Sequence, residues 1–152
     1  TLKAEIGRFY AEVGRPYLAA SGAPKNDRMG RVIDSTNFLI DHIGEVPALV
    51  IPLRLDRPPA NEGGGAAAYY GSVLPGVWSF QLAARSRGLG SCWTTFHLAH
   101  ERAIGEMLGI PETVTQVALL PVAYYTGDSF SPAPRRPVNE ITFLNQWKQP
   151  VS

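Results

Sequence analysis

Between residues 77 and 84 the chain reads VWSFQLAA, and only Ser79 and Gln81 are polar. A surface helix of a globular protein carries a single apolar stripe, about 100° wide. Here Val77, Phe80 and Ala84 fall on one face, while Trp78 and Leu82 fall on another. A helix apolar on most sides belongs in the middle of a core or in a subunit interface. Ser72 is the expected N-cap, and Pro75 suits an early helical position, where a missing N–H matters little. Arg85 and Arg87 stand in the last turn, where cations complement the dipole. Gly88 is the expected C-terminal cap. Gly88 and Gly90 permit a tight turn and close backbone approach. From local pattern alone, residues 72–96 are a helix, a glycine cap and a short buried strand.

The whole chain has 152 residues, the size of one domain. A formal net charge of +1 carries no electrostatic footprint for nucleic acid or an anionic membrane. Cys92 is the single cysteine, which rules out an intramolecular disulfide and a cysteine zinc site. No apolar run reaches the roughly 18 residues that span a bilayer, and no signal segment opens the chain. These features fit a cytoplasmic protein. The chain starts at Thr1 in helix-like sequence without a methionine, so it is expected to be an N-terminally truncated piece of something longer.

Residues 1–20 read as a helix with Leu2, Ile6, Phe9, Tyr10 and Val13 at spacings of three and four; Gly14, Pro16 and the 21–24 cluster weaken or end it. Asp27 is placed as the cap of a second helix, 28–42, with Met29, Val32, Ile33, Phe38, Leu39 and Ile43 as its apolar face. The run 47–53 (PALVIPL) is a strand buried on both faces, with Pro52 near its end. Residues 57–68 (RPPANEGGGAAA) are expected to be a flexible loop, a mobile flap rather than a phosphate cradle, since no lysine stands there. A helix over 98–108 ends at Gly109, and 114–124 (VTQVALLPVAY) is a second strand. Residues 127–137 form a Ser-, Pro- and Arg-rich loop. The C-terminal extension, 138–152, carries apolar residues that must pack on the chain's own core or on a partner.

Side chains that do chemistry unaided are few. His97 and His100 lack a third ligand at metal spacing, so no metal site is expected and the histidines are read as solvated or capping. Ser91 has no nucleophile-elbow context. Cys92, in an apolar run, is read as an inert buried thiol. No catalytic residue is assigned. Such an inventory suits chemistry carried by a cofactor.

Four features in order give the chain a resemblance to the FMN-dependent nitroreductase family. They are the apolar helix running into Arg87-Gly88-Leu89-Gly90-Ser91-Cys92, the helix end Glu106-Met107-Leu108-Gly109-Ile110-Pro111, the strand at 117–124, and Arg135-Arg136-Pro137 followed by Glu140 and Asn145-Gln146-Trp147. The set spans roughly half the chain and is consistent across levels, although no single motif is decisive. The resemblance covers the C-terminal two-thirds of such a protein.

The resemblance implies an α+β sandwich, with a central, mostly antiparallel sheet flanked by helices. It implies a homodimer with FMN at the subunit interface, and NAD(P)H as the electron donor to a nitro, quinone or related small-molecule acceptor. It places Trp93, Thr94 and Thr95 beside the flavin ring, where a donor at N5 stabilises arriving electron density. It assigns Arg135 to the FMN phosphate, a task suited to a bidentate guanidinium. Two departures accompany it. Ala133 and Pro134 stand where the family often carries a lysine, and the family's N-terminal Arg-rich segment has no counterpart in residues 1–25. The alternatives are a dehalogenating or flavin-consuming family member, or a truncated paralogue that sequesters flavin or only dimerises.

Overall fold

The computed structural model describes residues 1–60, 64–127 and 130–151. The chain opens with helix α1 (Leu2–Ala20), capped by the Thr1 hydroxyl, which accepts from the Ala4 N–H at 3.3 Å. The helix runs through Pro16 instead of ending there. Packing supplies what the proline removes: Ile6 and Tyr10 sit in the main core with Ile40, Ile43, Ile104 and Leu119. Helix α2 (Asp27–His42) returns antiparallel to α1. Its cap is Asn26, not Asp27; the Asn26 side chain accepts from the Met29 N–H at 2.9 Å. Gly14 lets the two helices close, because a Cβ there would stand 2.7 Å from Ile40 Cδ1.

The inward face of α2 differs from the one read from spacing. Ile40 and Ile43 are buried, whereas Met29, Val32 and Phe38 are exposed. Periodicity finds an apolar stripe but cannot say which edge of it meets the core.

Strand β1 (Ala48–Val50) follows, and the chain then breaks at Pro52 into β2 (Leu53–Arg54). The one strand expected over 47–53 therefore serves two sheets. β1 pairs antiparallel with β5 (Leu120–Tyr124), and β5 pairs antiparallel with β3 (Leu89–Ser91), giving the order β1-β5-β3. β2 pairs antiparallel with β4 (Thr115–Gln116). Pro121 is tolerated in the central strand because its β3 neighbour has already ended; β3 pairs only with Val122, Ala123 and Tyr124. Val117, Ala118, Leu119 and Leu120 are buried, which accounts for the apolar run there.

Part of the expected flexible loop is a helix, α3 (Gly64–Gly71). Residues 61–63 of that stretch lie outside the described residues. Both flanks are fastened. The Tyr69 hydroxyl donates to the Asp56 carbonyl at 2.6 Å, and Arg54 pairs with Asp56 at 2.6 Å. Arg57 makes a two-point contact with Glu101 at 2.8 and 3.0 Å, and Glu101 also accepts from the Gln116 N–H at 2.9 Å.

Helix α4 (Leu74–Arg85) holds the apolar stretch. Ser72 is not its cap: Val73 takes that position without a side-chain bond, and the Ser72 hydroxyl donates to the Tyr69 carbonyl at 2.8 Å. Val77 packs on Ala118 and Leu120. Trp78, Phe80 and Leu82 face away from the core, with Trp78 63% exposed. α4 is thus a one-sided core helix in the single chain. Gly88 turns the backbone at φ 78°, as a left-handed residue must. The segment 91–96 is less buried than expected and leads into a 3-10 turn, Phe96–His100, before α5 (Glu101–Leu108), which Gly109 ends at φ 70°. Of the C-terminal extension, a 3-10 turn (Val138–Glu140) and a bridge between Phe143 and Pro150 are described; Val138, Ile141, Leu144 and Trp147 are exposed. No helix among the described residues is long and apolar enough to cross a membrane. The architecture is α+β, an antiparallel sheet with helices packed against it.

Candidate functional site: a basic-edged cleft beside residues 92–96

A cleft of about 990 Å³ opens between the α1–α2 hairpin and the segment 92–96, with Ala133 and Pro134 on its margin. Three of the four residues singled out in the sequence line it: Trp93, Thr94 and Thr95. Their position follows from the sheet. Thr94 and Leu119 exchange backbone hydrogen bonds at 3.1 and 2.9 Å, which pins the chain just beyond β3. The Thr94 hydroxyl donates to the same Leu119 carbonyl at 2.7 Å. Both Thr94 donors are therefore spent on the fold. Trp93 and Thr95, one on each side, are exposed along the cleft. Tyr10, deep in the core, also lines it; burial pushes its phenol above the ordinary value, against a smaller opposing effect from Thr94 beside it.

Arg135 is not among the lining residues. Its guanidinium donates to the Ala133 and Pro134 carbonyls at 3.2 and 3.3 Å, so it lies against the backbone that forms the margin.

Two expectations about reactive side chains are corrected. Cys92 is exposed and lines the cleft, because the chain has left the sheet by that point. Surrounding atoms still strip enough water from the thiol to push it above its ordinary pKa, so the neutral form prevails near neutral pH. His97 is neither solvated nor capping: it is fully buried, and neither ring nitrogen has a partner among the described residues. Desolvation lowers its pKa to about 4, with Glu101 opposing weakly. His100 does keep solvent access; it stacks on Phe9 and stands 3.3 Å from Glu12. No group of three or more His, Cys, Asp or Glu side chains among the described residues is placed to hold a metal.

Lys25, Arg28 and Arg31 also line the cleft, and sequence reasoning missed them. The signal was present in KNDRMGR, where 28 and 31 share a helix face with 32 and 35. Nothing local marks this face as the border of a cavity.

The nitroreductase family model matches residues 11–124. The chain belongs to the nitroreductase family. Among solved structures it is similar to a BluB-like flavoprotein from Clostridium difficile 630, at 18% identity and TM-score 0.57, covering 95% of this chain and 75% of that one. A nitroreductase-like family protein from Bacillus cereus matches at 19% identity and TM-score 0.55, covering 94% and 83%. Iodotyrosine deiodinase, in a structure with FMN and 3-iodo-L-tyrosine bound, matches at 22% identity and TM-score 0.59, covering 95% and 70%. These structural matches show a shared fold. No curated protein matches the chain.

Proposed function

We propose that the cleft binds FMN and that the protein is a flavin-dependent oxidoreductase. It would take hydride from NAD(P)H and pass electrons to a nitro, quinone or related small-molecule acceptor. The observation that carries this reading is the rigid 93–95 wall, anchored by Thr94 on Leu119 and facing a cleft of about 990 Å³. That volume lies within the range of cofactor pockets, roughly 300–1,000 Å³. The donor set fits a flavin as well. Thr95 and Trp93 flank a pinned residue and face the cleft, and the Arg135 guanidinium lies against the 133–134 backbone at its margin.

Bound FMN supplies the two-electron carrier chemistry that the side chains here lack. Thr94 ties the wall to Leu119, so that the Thr95 hydroxyl and the neighbouring backbone would be held ready to meet the flavin. Arg135 would exchange its contacts with Ala133 and Pro134 for the flavin phosphate, a charge-assisted bond in place of two neutral ones. Cys92 stays a thiol. His97 is fully buried and is given no role in proton transfer. On a nitro acceptor the net reaction consumes NAD(P)H and one proton and yields oxidised nucleotide, a nitroso product and water.

Assembly is part of the proposal. Trp78, Phe80 and Leu82 on α4, with Val138, Ile141 and Trp147 of the tail, offer apolar surface that a second copy of the chain would cover.

The test is titration of purified protein with FMN, followed by anaerobic addition of NADH or NADPH. Saturable FMN binding and bleaching of the flavin absorbance are expected. Binding without bleaching would favour a flavin-sequestering protein, and absence of binding would favour a chain that keeps the fold for dimerisation alone.

A further inference from the structure

The charge of the cleft is one-sided. Lys25, Arg28 and Arg31 line it, and among the described residues no aspartate or glutamate does. None of the three is in an ion pair with a described carboxylate. Arg15 on the same hairpin shows the contrast, since Asp41 neutralises it at 2.6 Å. Arg28 and Arg31 are one turn apart on α2, and Met29 and Val32 run beside them, also along the cleft. Tyr17 and Phe96, with ring centroids 5.2 Å apart, add aromatic lining. A basic strip next to an apolar and aromatic one matches a ligand with a flat body and an anionic end.

We propose that Lys25, Arg28 and Arg31 form an anion-recognition edge, and that the acceptor taken in this cleft is an aromatic bearing a carboxylate. This rests on the flavin reading above and narrows it. That reading gives the flavin phosphate to Arg135, on a separate segment, and leaves the α2 trio for a second ligand. Guanidinium groups pair with a carboxylate through two parallel N–H bonds, so the edge selects for charge and plane together.

The experiment compares 4-nitrobenzoate with 4-nitrobenzyl alcohol, which share a ring and a nitro group and differ in charge. Binding of each is measured by calorimetry and tryptophan quenching, on the FMN-loaded protein and on the flavin-free protein. The variants are Lys25→Gln/Arg28→Gln/Arg31→Gln and the charge-preserving Lys25→Arg/Arg28→Lys/Arg31→Lys, each with its fold checked by circular dichroism. The neutral triple variant should lose about tenfold or more in affinity for the benzoate and less than about twofold for the alcohol, as expected when charged hydrogen bonds are removed. The charge-preserving variant should recover part of that loss, because lysine at 28 and 31 restores the charge without the planar fork, and FMN affinity should not move. Equal losses for both ligands, or none, would overturn the proposal. So would a drop confined to FMN affinity, which hands the trio to the flavin phosphate, or one confined to the KM of NAD(P)H, which hands it to the dinucleotide. If wild-type protein binds no FMN, the flavin reading fails by itself. The flavin-free arm still decides the anion edge: a benzoate preference that the neutral variant abolishes supports it, and no preference overturns it.

Discussion

Thr94 and Leu119 share three hydrogen bonds: the Thr94 N–H and hydroxyl donate to the Leu119 carbonyl at 3.1 and 2.7 Å, and the Leu119 N–H donates to the Thr94 carbonyl at 2.9 Å. Leu119 is fully buried and belongs to the main core. The wall of the cleft is thereby fastened to the main hydrophobic core. Thr94 and Thr95 are adjacent and chemically identical, yet they carry separable tasks. Thr94→Val should lower stability by about 1 kcal/mol, the usual net value of one hydrogen bond. Thr95→Val should stay within about 0.5 kcal/mol of wild type, as for an exposed site. With FMN bound, Thr95→Val should change the rate of flavin reduction or the flavin potential. Thermal unfolding and stopped-flow reduction check the pair; equal effects of both variants on both readouts would contradict the division.

His97 predicts a pH dependence with a definite sign. Its folded pKa is lowered to about 4 from the ordinary 6.5. Between those values the unfolded chain holds a proton that the folded chain refuses. Stability from this group is therefore complete above pH 6.5, falls as pH drops from 6.5 towards 4, and levels off below. The full loss is roughly 3 kcal/mol, at about 1.4 kcal/mol per tenfold change in proton affinity. His97→Leu removes two unpartnered nitrogens and should flatten that slope. Urea unfolding at pH 4.5, 5.5 and 7 measures it, and an unchanged slope in the variant would assign the dependence elsewhere.

Arg135→Ala should weaken FMN binding by about 1.5–3 kcal/mol, the range for a hydrogen bond to a charged group. The comparison with riboflavin isolates the phosphate, because riboflavin affinity should not move. Unchanged FMN affinity would remove Arg135 from the site and make Arg136 the next cation to test.

Sedimentation of the wild-type chain at micromolar concentration is expected to show a dimer. Trp78→Glu places a charge at an apolar position that is 63% exposed in the single chain, and it should shift the distribution towards monomer without unfolding it. A wild-type chain that sediments as a compact monomer would refute the assembly.

Cys92→Ser should retain flavin reduction, since an exposed, protonated thiol is asked to do no chemistry. Complete loss of reduction in that variant, with FMN still bound, would reveal a reactive role.

What the sequence determined by itself was local or strongly apolar. The extents of α1 and α2, the left-handed turns at Gly88 and Gly109, the early Pro75 in α4 and the buried apolar run through Val122 all follow from caps, glycine, proline and hydropathy, which act over a few residues. The ordered motifs extended that reading to the family and to Trp93, Thr94 and Thr95. Tertiary structure decided which side of each element meets something else. It buried Ile40 and left Phe38 out, buried His97 and exposed Cys92, bound both Thr94 donors to Leu119, and turned Arg28 and Arg31 towards a cleft. It also folded Gly64–Gly71 into a helix held by its own Tyr69, which is anchored on Asp56 and Thr115. The physical reason is range. A hydrogen bond between residues 25 positions apart, or a cavity edged by residues from three segments, leaves no period in the chain. It exists only once the hydrophobic core has set the distances.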